Sequence, residues 1–246
     1  MFNFFSKTKA GKPVLETLKT DVHSHLLPGI DDGSPDVSTS LELIKGLKAL
    51  GYTKLITTPH IMWDMYQNTR DGILSLLDEM RDVLREADVD IELDAAAEYF
   101  LDDYVMSLLK KKKRLLTFGD NNMVLAEFSM ASPPIDLRAI LFEMRMQDYQ
   151  PVIAHPERYV YLENTKEFYD ELKDAGYLFQ LNLLSLAGTY GRSVKELANY
   201  LIDKGYYDLV GTDLHNQRHL KALQSNAILS PLEKLIETGQ IKNPQL

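Results

Sequence analysis

Cysteine is absent from the 246 residues. Its absence excludes disulfides, thiolate metal sites and any mechanism through a cysteinyl intermediate. Long apolar runs are missing too. Nothing approaches the roughly 18 consecutive apolar residues of a membrane span. Positive charge is scarce, with 27 Lys and Arg against 36 Asp and Glu and a net charge of -9. A nucleic-acid binder normally shows a basic stripe, so the balance argues against that class. An acidic chain can still handle anionic substrates when bound cations reverse the local potential. There is no internal repeat, no low-complexity stretch and no linker rich in Gly, Pro or Ser. The opening MFNFFSKTKAGK sets a short apolar patch before its lysines, the reverse of a secretory signal, and a cytoplasmic location is expected.

What is present is a steady alternation. Strands are expected over residues 20–27, 53–59, 91–100, 123–128, 151–154, 178–183 and 207–211. Helices are expected over 36–50, 69–87, 103–112, 137–147, 166–175 and 194–204, with two short helical stretches closing the chain. In the first helix Val37, Leu41, Ile44, Leu47 and Leu50 recur at helical spacing, and Gly51 sits just past its end. Seven strand–helix units with short apolar strands are the pattern of a parallel sheet covered by helices. The repetition favours a closed or nearly closed barrel; a doubly wound open sheet is the rival, because one sequence does not give strand order. One domain is expected over residues 19–246, after a flexible extension over 1–18.

Five of the six histidines fall at the downstream end of an expected strand. His23 and His25 close the first, His60 follows the second in TTPH, His155 follows the fifth and His215 the seventh. Glu98 in AAAEYF, Glu127 in VLAEFS and Asp213 in VGTDLH hold equivalent positions. Carboxyl ends of parallel strands share one face, where such folds carry their active sites. The pairs His23/His25 and Asp213/His215 are spaced i, i+2 and point to one side of an extended strand. Asp31 and Asp32 lie in the following loop, between Gly29 and Gly33, which let the backbone curl over the mouth. A lone strand-end histidine is usually structural, and Glu98 or Glu127 could each be satisfied by an arginine or a backbone amide. Five histidines and several acids on one rim are another matter, since buried charge is costly without a cation. Imidazole and carboxylate together suit two or three divalent first-row metals.

In this order DVHSHLLPGIDDGS, TTPH, AAEYF, LAEFS, IAHPERY and GTDLHN resemble the PHP (polymerase and histidinol phosphatase) superfamily. Within it they are most similar to the bacterial tyrosine-protein phosphatases of capsule and exopolysaccharide synthesis. The likeness runs from about Asp21 to His219. The resemblance implies a distorted seven-stranded (β/α)7 barrel with a three-metal centre, often manganese, with Mg, Fe or Zn as alternatives. Carried over, His23, His25, Glu98 and Asp213 hold one metal, His60, Glu98 and His155 a second, and Asp32, Glu127 and His215 a third. Asp31 competes with Asp32 for the loop position. Arg158 grips phosphate, and Arg218 is the candidate for a second anion contact, with His219 facing solvent. The implied reaction is in-line attack of metal-bound hydroxide on a phosphotyrosine protein, with no phosphoenzyme. The implied substrate is the tail of a bacterial tyrosine autokinase. A small-molecule phosphatase of the histidinol phosphate type, or a metal-binding scaffold without catalysis, are the rivals.

Other stretches have duller readings beside their functional ones. LLKKKKRLL, residues 108–116, reads as a solvated helix end or as a docking patch for an acidic segment. IMWDMYQN, residues 61–68, reads as ordinary loop packing or as an apolar wall for an aromatic ring. MFNFF touches a membrane-associated partner or frays. SPP, residues 132–134, borders the cleft, and Asn182 orients a ligand or caps a helix.

Overall fold

The structure is a computed structural model that describes residues 14–132 and 134–246. MFNFF and most of the expected extension lie outside the described residues. Residues Val14–Leu18, expected to be flexible, instead form a 3-10 turn that buries Leu15 and Leu18. The packed region therefore begins before the expected boundary.

Among the described residues there are nine strand segments, β1 (Thr20–Asp21), β2 (Lys54–Thr57), β3 (His60–Ile61), β4 (Glu92–Ala95), β5 (Glu98–Phe100), β6 (Met123–Glu127), β7 (Gln150–Ala154), β8 (Leu178–Asn182) and β9 (Leu209–Gly211). Helices Val37–Ala49, Arg70–Glu86, Asp103–Lys110, Leu137–Met146, Glu167–Asp174 and Arg192–Asp203 alternate with them. Their starts are set by side-chain caps where Asp36 accepts from Thr39 N, Thr69 from Gly72 N and Asp102 from Val105 N. Every ladder is parallel, in the orders β1-β2-β4 and β3-β5-β6-β7-β8-β9.

The expected strands 53–59 and 91–100 are each broken in two. Pro59 brings no N–H to the ladder, and Ala96 N and Glu98 N reach Thr57 O and Pro59 O at 2.9 and 3.1 Å across the gap. At the far end a parallel bridge pairs Ser24 with Leu214. The result is an α/β fold whose parallel sheet curves into a half-barrel.

Val22, Ile56, Ala96, Leu125, Val152, Ala154 and Leu209 form one apolar cluster. Ala96 and Glu98, like Leu125 and Glu127, are i, i+2 neighbours on one strand face, so this cluster is the floor beneath the acids. A larger cluster fills the space between sheet and helices, with Leu43, Ile44 and Leu47 on the first helix fully buried. Each such side chain contributes roughly 1.5–3 kcal/mol by leaving water. No helix among the described residues is long and apolar enough to cross a membrane.

Candidate metal centre

Strand ends deliver the site. Glu98, the first residue of β5, is 1% exposed, and its Oε2 lies 3.2 Å from His23 Nε2, 3.2 Å from His60 Nδ1 and 3.4 Å from His25 Nε2. Its Oε1 lies 3.0 Å from His155 Nε2. Asp213 Oδ1 stands 3.4 Å from both His23 Nε2 and His25 Nε2. Asp32 Oδ1 stands 3.5 Å from His60 Nε2 and 3.5 Å from His215 Nε2. Glu127, which ends β6, sets its oxygens 3.7 Å from His155 Nε2 and His60 Nδ1. All nine candidate ligands therefore converge.

The donors fall into four overlapping groups. Sets able to hold one ion are His23, His25 and Glu98; His23, His155 and Asp213; His60, Glu98 and Glu127; and His25, Asp32, His60 and His215. Glu127 thus lies close to Glu98, His60 and His155, and His60 also reaches Asp32. The reason is sheet order. β6 lies between β5 and β7, so Glu127 sits beside Glu98 and His155, away from the rim where the first and last strands meet.

The loop after β1 separates its two acids. Asp31 Oδ2 accepts from His25 Nδ1 at 2.8 Å and from His60 N at 3.1 Å, while its Oδ1 accepts from Gly33 N. Asp31 therefore holds the back of His25, and Asp32 faces the rings. A Cβ at Gly33 would fall 2.4 Å from His25 Cβ, so only glycine lets this loop fold so closely over the histidine. His155 and Asp213 adopt left-handed backbone with φ of 31° and 49°. For non-glycine residues this conformation costs about 1 kcal/mol or more and collects at functional sites.

Three residues not singled out in the sequence complete the frame. Gln180 Oε1 meets His23 Nδ1 at 2.7 Å. Gly211 makes room for both, since a Cβ there would fall 2.5 Å from His23 Cβ and 2.7 Å from Gln180 Nε2. Tyr190 receives the Arg158 guanidinium over its ring at 4.5 Å. The signal for Gln180 was a polar residue inside the apolar strand LFQLN, two before Asn182. Asn182 fills both of its expected roles: Oδ1 caps Leu184 N at 2.9 Å, and Nδ2 donates to Asp213 Oδ2 at 2.6 Å.

The electrostatics are those of a site that takes cations. Asp31, Asp32, Glu98, Glu127 and Asp213 crowd together, and among the described residues Arg158 is the one lysine or arginine within ion-pair reach of them, 3.2 Å from Asp213 Oδ2. Burial beside Glu98 pushes the Glu127 carboxyl well up. Burial also opposes charge on Glu98, but the His23 and His60 rings outweigh it and hold that carboxyl well down. Burial disfavours a charged His23, yet Glu98 and Asp213 raise it to about 9. Burial, with Arg158 alongside, lowers His155 to about 4 and leaves it a neutral donor. His60 Nδ1 is buried without a hydrogen-bond partner although a Glu98 oxygen is 3.2 Å away. Acidic donors in excess and an unpaired imidazole nitrogen fit divalent ions.

Above the rings lies a cavity of about 630 Å³ lined by His60, Glu98, Glu127, Arg158, Asp213 and His215. Met62, Met65, Tyr66, Phe100, Met130 and Tyr190 form its apolar side. Tyr66 stacks on His60 at 5.4 Å. Trp63, expected in that wall, turns away and stacks on Tyr104 at 4.0 Å. Ser129, Met130 and Ala131 border the cavity, and Pro133 of the SPP stretch lies outside the described residues. Arg218 does not line it. Helix Gln217–Ala222 starts at the Asn216 cap, so Asn216 and His219 share the cavity-facing side while Arg218 points outward, exposed. His219, expected in solvent, is half-buried there, with Nδ1 3.3 Å from Asp213 O.

Comparison with known proteins agrees with this geometry. The chain is 28% identical over 196 residues to the tyrosine-protein phosphatase YwqE of Bacillus subtilis (strain 168), covering 80% of this chain and 77% of that one. It is 29% identical over 203 residues to the tyrosine-protein phosphatase CpsB of Streptococcus pneumoniae, covering 80% and 82%. A crystal structure from work on YwqE and CpsB as unique metal-dependent tyrosine phosphatases superimposes with a TM-score of 0.78 at 26% identity, over 92% of this chain and 90% of the other. A lactonase from Listeria monocytogenes shares the fold alone, with a TM-score of 0.57 at 12% identity. The description of capsular polysaccharide synthesis proteins CpsB/CapC matches residues 19–238, and the chain belongs to that family.

Proposed function

We propose that the chain is a metal-dependent protein-tyrosine phosphatase of capsular or exopolysaccharide synthesis. The observation that carries this reading is the clustering of nine imidazole and carboxylate donors, Glu98 among them, beneath a cavity that also holds Arg158. Family membership and relatives named tyrosine-protein phosphatases support it. In this reading His23, His25, Glu98 and Asp213 hold one ion, Glu98, Glu127 and His155 a second, and Asp32, His60 and His215 a third. Divalent ions there, manganese above others, would supply a water activated near neutral pH and charge compensation for the phosphoryl oxygens.

The protein's own groups do the rest. Arg158, braced by Asp213 and the Tyr190 ring, offers a fork that matches two phosphoryl oxygens. Met62, Tyr66, Phe100 and Tyr190 receive the substrate ring. Phenolate is a fair leaving group, since phenol ionises near pH 10, so a dedicated acid matters less than for an alkyl phosphate. We further read the interrupted β2/β3 and β4/β5 as single staves, which makes the half-barrel a seven-stranded barrel closed at Ser24. The natural substrate in this reading is a tyrosine-phosphorylated tail of a bacterial autokinase, met in the cytoplasm.

The test is phosphate release from a tyrosine-phosphorylated peptide after chelation and after manganese is restored. A matched phosphoserine peptide and histidinol phosphate run beside it. Metal-restored release confined to phosphotyrosine is expected. Release from histidinol phosphate alone would move the enzyme to small-molecule metabolism.

A further inference from the structure

A second cavity of about 380 Å³ lies on the far side of the loop that follows His60, lined by Ile61, Thr69, Arg70, Tyr104, Lys113 and Arg114. We infer that this basic cleft is an exosite for an acidic segment flanking the phosphotyrosine of a protein substrate, an inference that rests on the phosphatase reading. Three observations carry it.

Most of the positive charges are uncompensated, although Asp71 also lines the cleft. Among the described residues no carboxylate lies within 4.0 Å of Lys110, Lys111, Lys112, Lys113 or Arg114. Arg70 has only the exposed Asp71 at 3.1 Å, and its Nε is buried without a hydrogen-bond partner. On a chain of net charge -9, such a cleft is where an acidic peptide would settle.

The run is also held in place. Helix Asp103–Lys110 ends before Lys113 and Arg114, so its dipole does not account for them. Directly after them Leu115 and Leu116 are buried, and their amides donate to Tyr149 Oη at 3.1 Å and Tyr99 Oη at 2.8 Å. The basic side chains thus stand on anchored backbone.

Finally, the cleft adjoins the metal cavity. Trp63 stacks on Tyr104 at its edge, while Met62, Met65 and Tyr66 of the same loop line the metal cavity. A chain whose phosphotyrosine entered one cavity would cross this loop toward the other.

The test compares wild type, K113A/R114A and K113E/R114E on three substrates: a tyrosine-phosphorylated peptide with Asp and Glu flanks, the same peptide with neutral flanks, and p-nitrophenyl phosphate. Charge reversal is expected to raise KM for the acidic peptide roughly tenfold, as two weakened ion pairs would, with kcat and the other two substrates unchanged. The wild-type preference should fade at high salt. Fluorescence anisotropy of the unphosphorylated acidic peptide reads the exosite without catalysis. If wild type hydrolyses no phosphopeptide, the functional reading fails while anisotropy still decides the exosite. Equal anisotropy in all three proteins, or equal KM changes on all substrates, overturns the inference. So does loss of binding to anionic lipid vesicles with peptide binding intact.

Discussion

Gln180 holds His23 from behind: its side-chain carbonyl accepts from His23 Nδ1 at 2.7 Å, while its amide is committed to Leu181 O at 2.6 Å. The carbonyl can only accept, so Nδ1 carries a proton and Nε2 is the nitrogen turned toward Glu98 and Asp213, the one a metal would take in place of its proton. Partners behind a metal-binding histidine are worth about 10–100-fold in metal affinity. Gln180→Leu should weaken manganese binding by that range in competition with a chromophoric chelator, with the fold retained. Unchanged affinity would remove Gln180 from the centre.

Arg158→Ala should lower kcat/KM on a phosphotyrosine peptide by about 10²–10³, the range for losing a preorganised donor to developing charge. Arg158→Lys should recover little of it, because an ammonium lacks the planar fork. Metal content measured alongside separates this from damage to Asp213. A lysine variant with near wild-type activity would argue against a bidentate grip.

Gly211→Ala forces a Cβ into His23 and Gln180 at once. We expect a loss of about 1–3 kcal/mol in denaturant unfolding, the usual cost of overpacking, together with weaker manganese binding. A variant of wild-type stability and affinity would mean that the strand end yields.

Manganese should raise Tm in a concentration-dependent way, by about 2.7 kcal/mol of stability at a hundred times Kd. Affinity should climb with pH, because His23, lifted toward about 9 by its carboxylate neighbours, must release a proton to ligate. Isothermal titration in buffers of different ionisation heat counts those protons. Proton-neutral binding would contradict the assignment of His23.

Glu157 lies beneath the site and accepts from Asn182 N, Ser185 Oγ and Tyr207 Oη. Burial raises its carboxyl from 4.5 to about 7 despite these bonds. A raised folded value means stability that is fully present below about 4.5 and lost as pH rises through 7. The loss is roughly 3 kcal/mol at most. Glu157→Gln should therefore gain on wild type as pH increases from 5 to 8 in unfolding titrations at saturating metal. Parallel curves would leave Glu157 unlinked to folding.

The rim was legible because polar residues ended apolar strands, and the strand ends did converge on one face. Which residues share an ion was not. That depends on neighbours around the sheet: with β6 between β5 and β7, Glu127 stands near Glu98, His60 and His155. Asp31 and Asp32 are chemically identical neighbours, and only the close turn at Gly33 decides which one faces the rings. Arg218 and His219 hinge on helical phase from the Asn216 cap. Gln180 carries no motif, since an amide inside a strand reads the same whether or not it braces a ring.

The first and last strands meet through Thr212, whose N–H and hydroxyl both reach Asp21 at 2.9 and 2.8 Å across a sequence separation of 191 residues. During synthesis at about 5–20 residues per second, His23 and His25 therefore leave the ribosome many seconds before Asp213 and His215. A nascent chain that stops short of Asp213 holds seven of the nine candidate donors, so the cluster around Glu98 closes only when the last strand arrives.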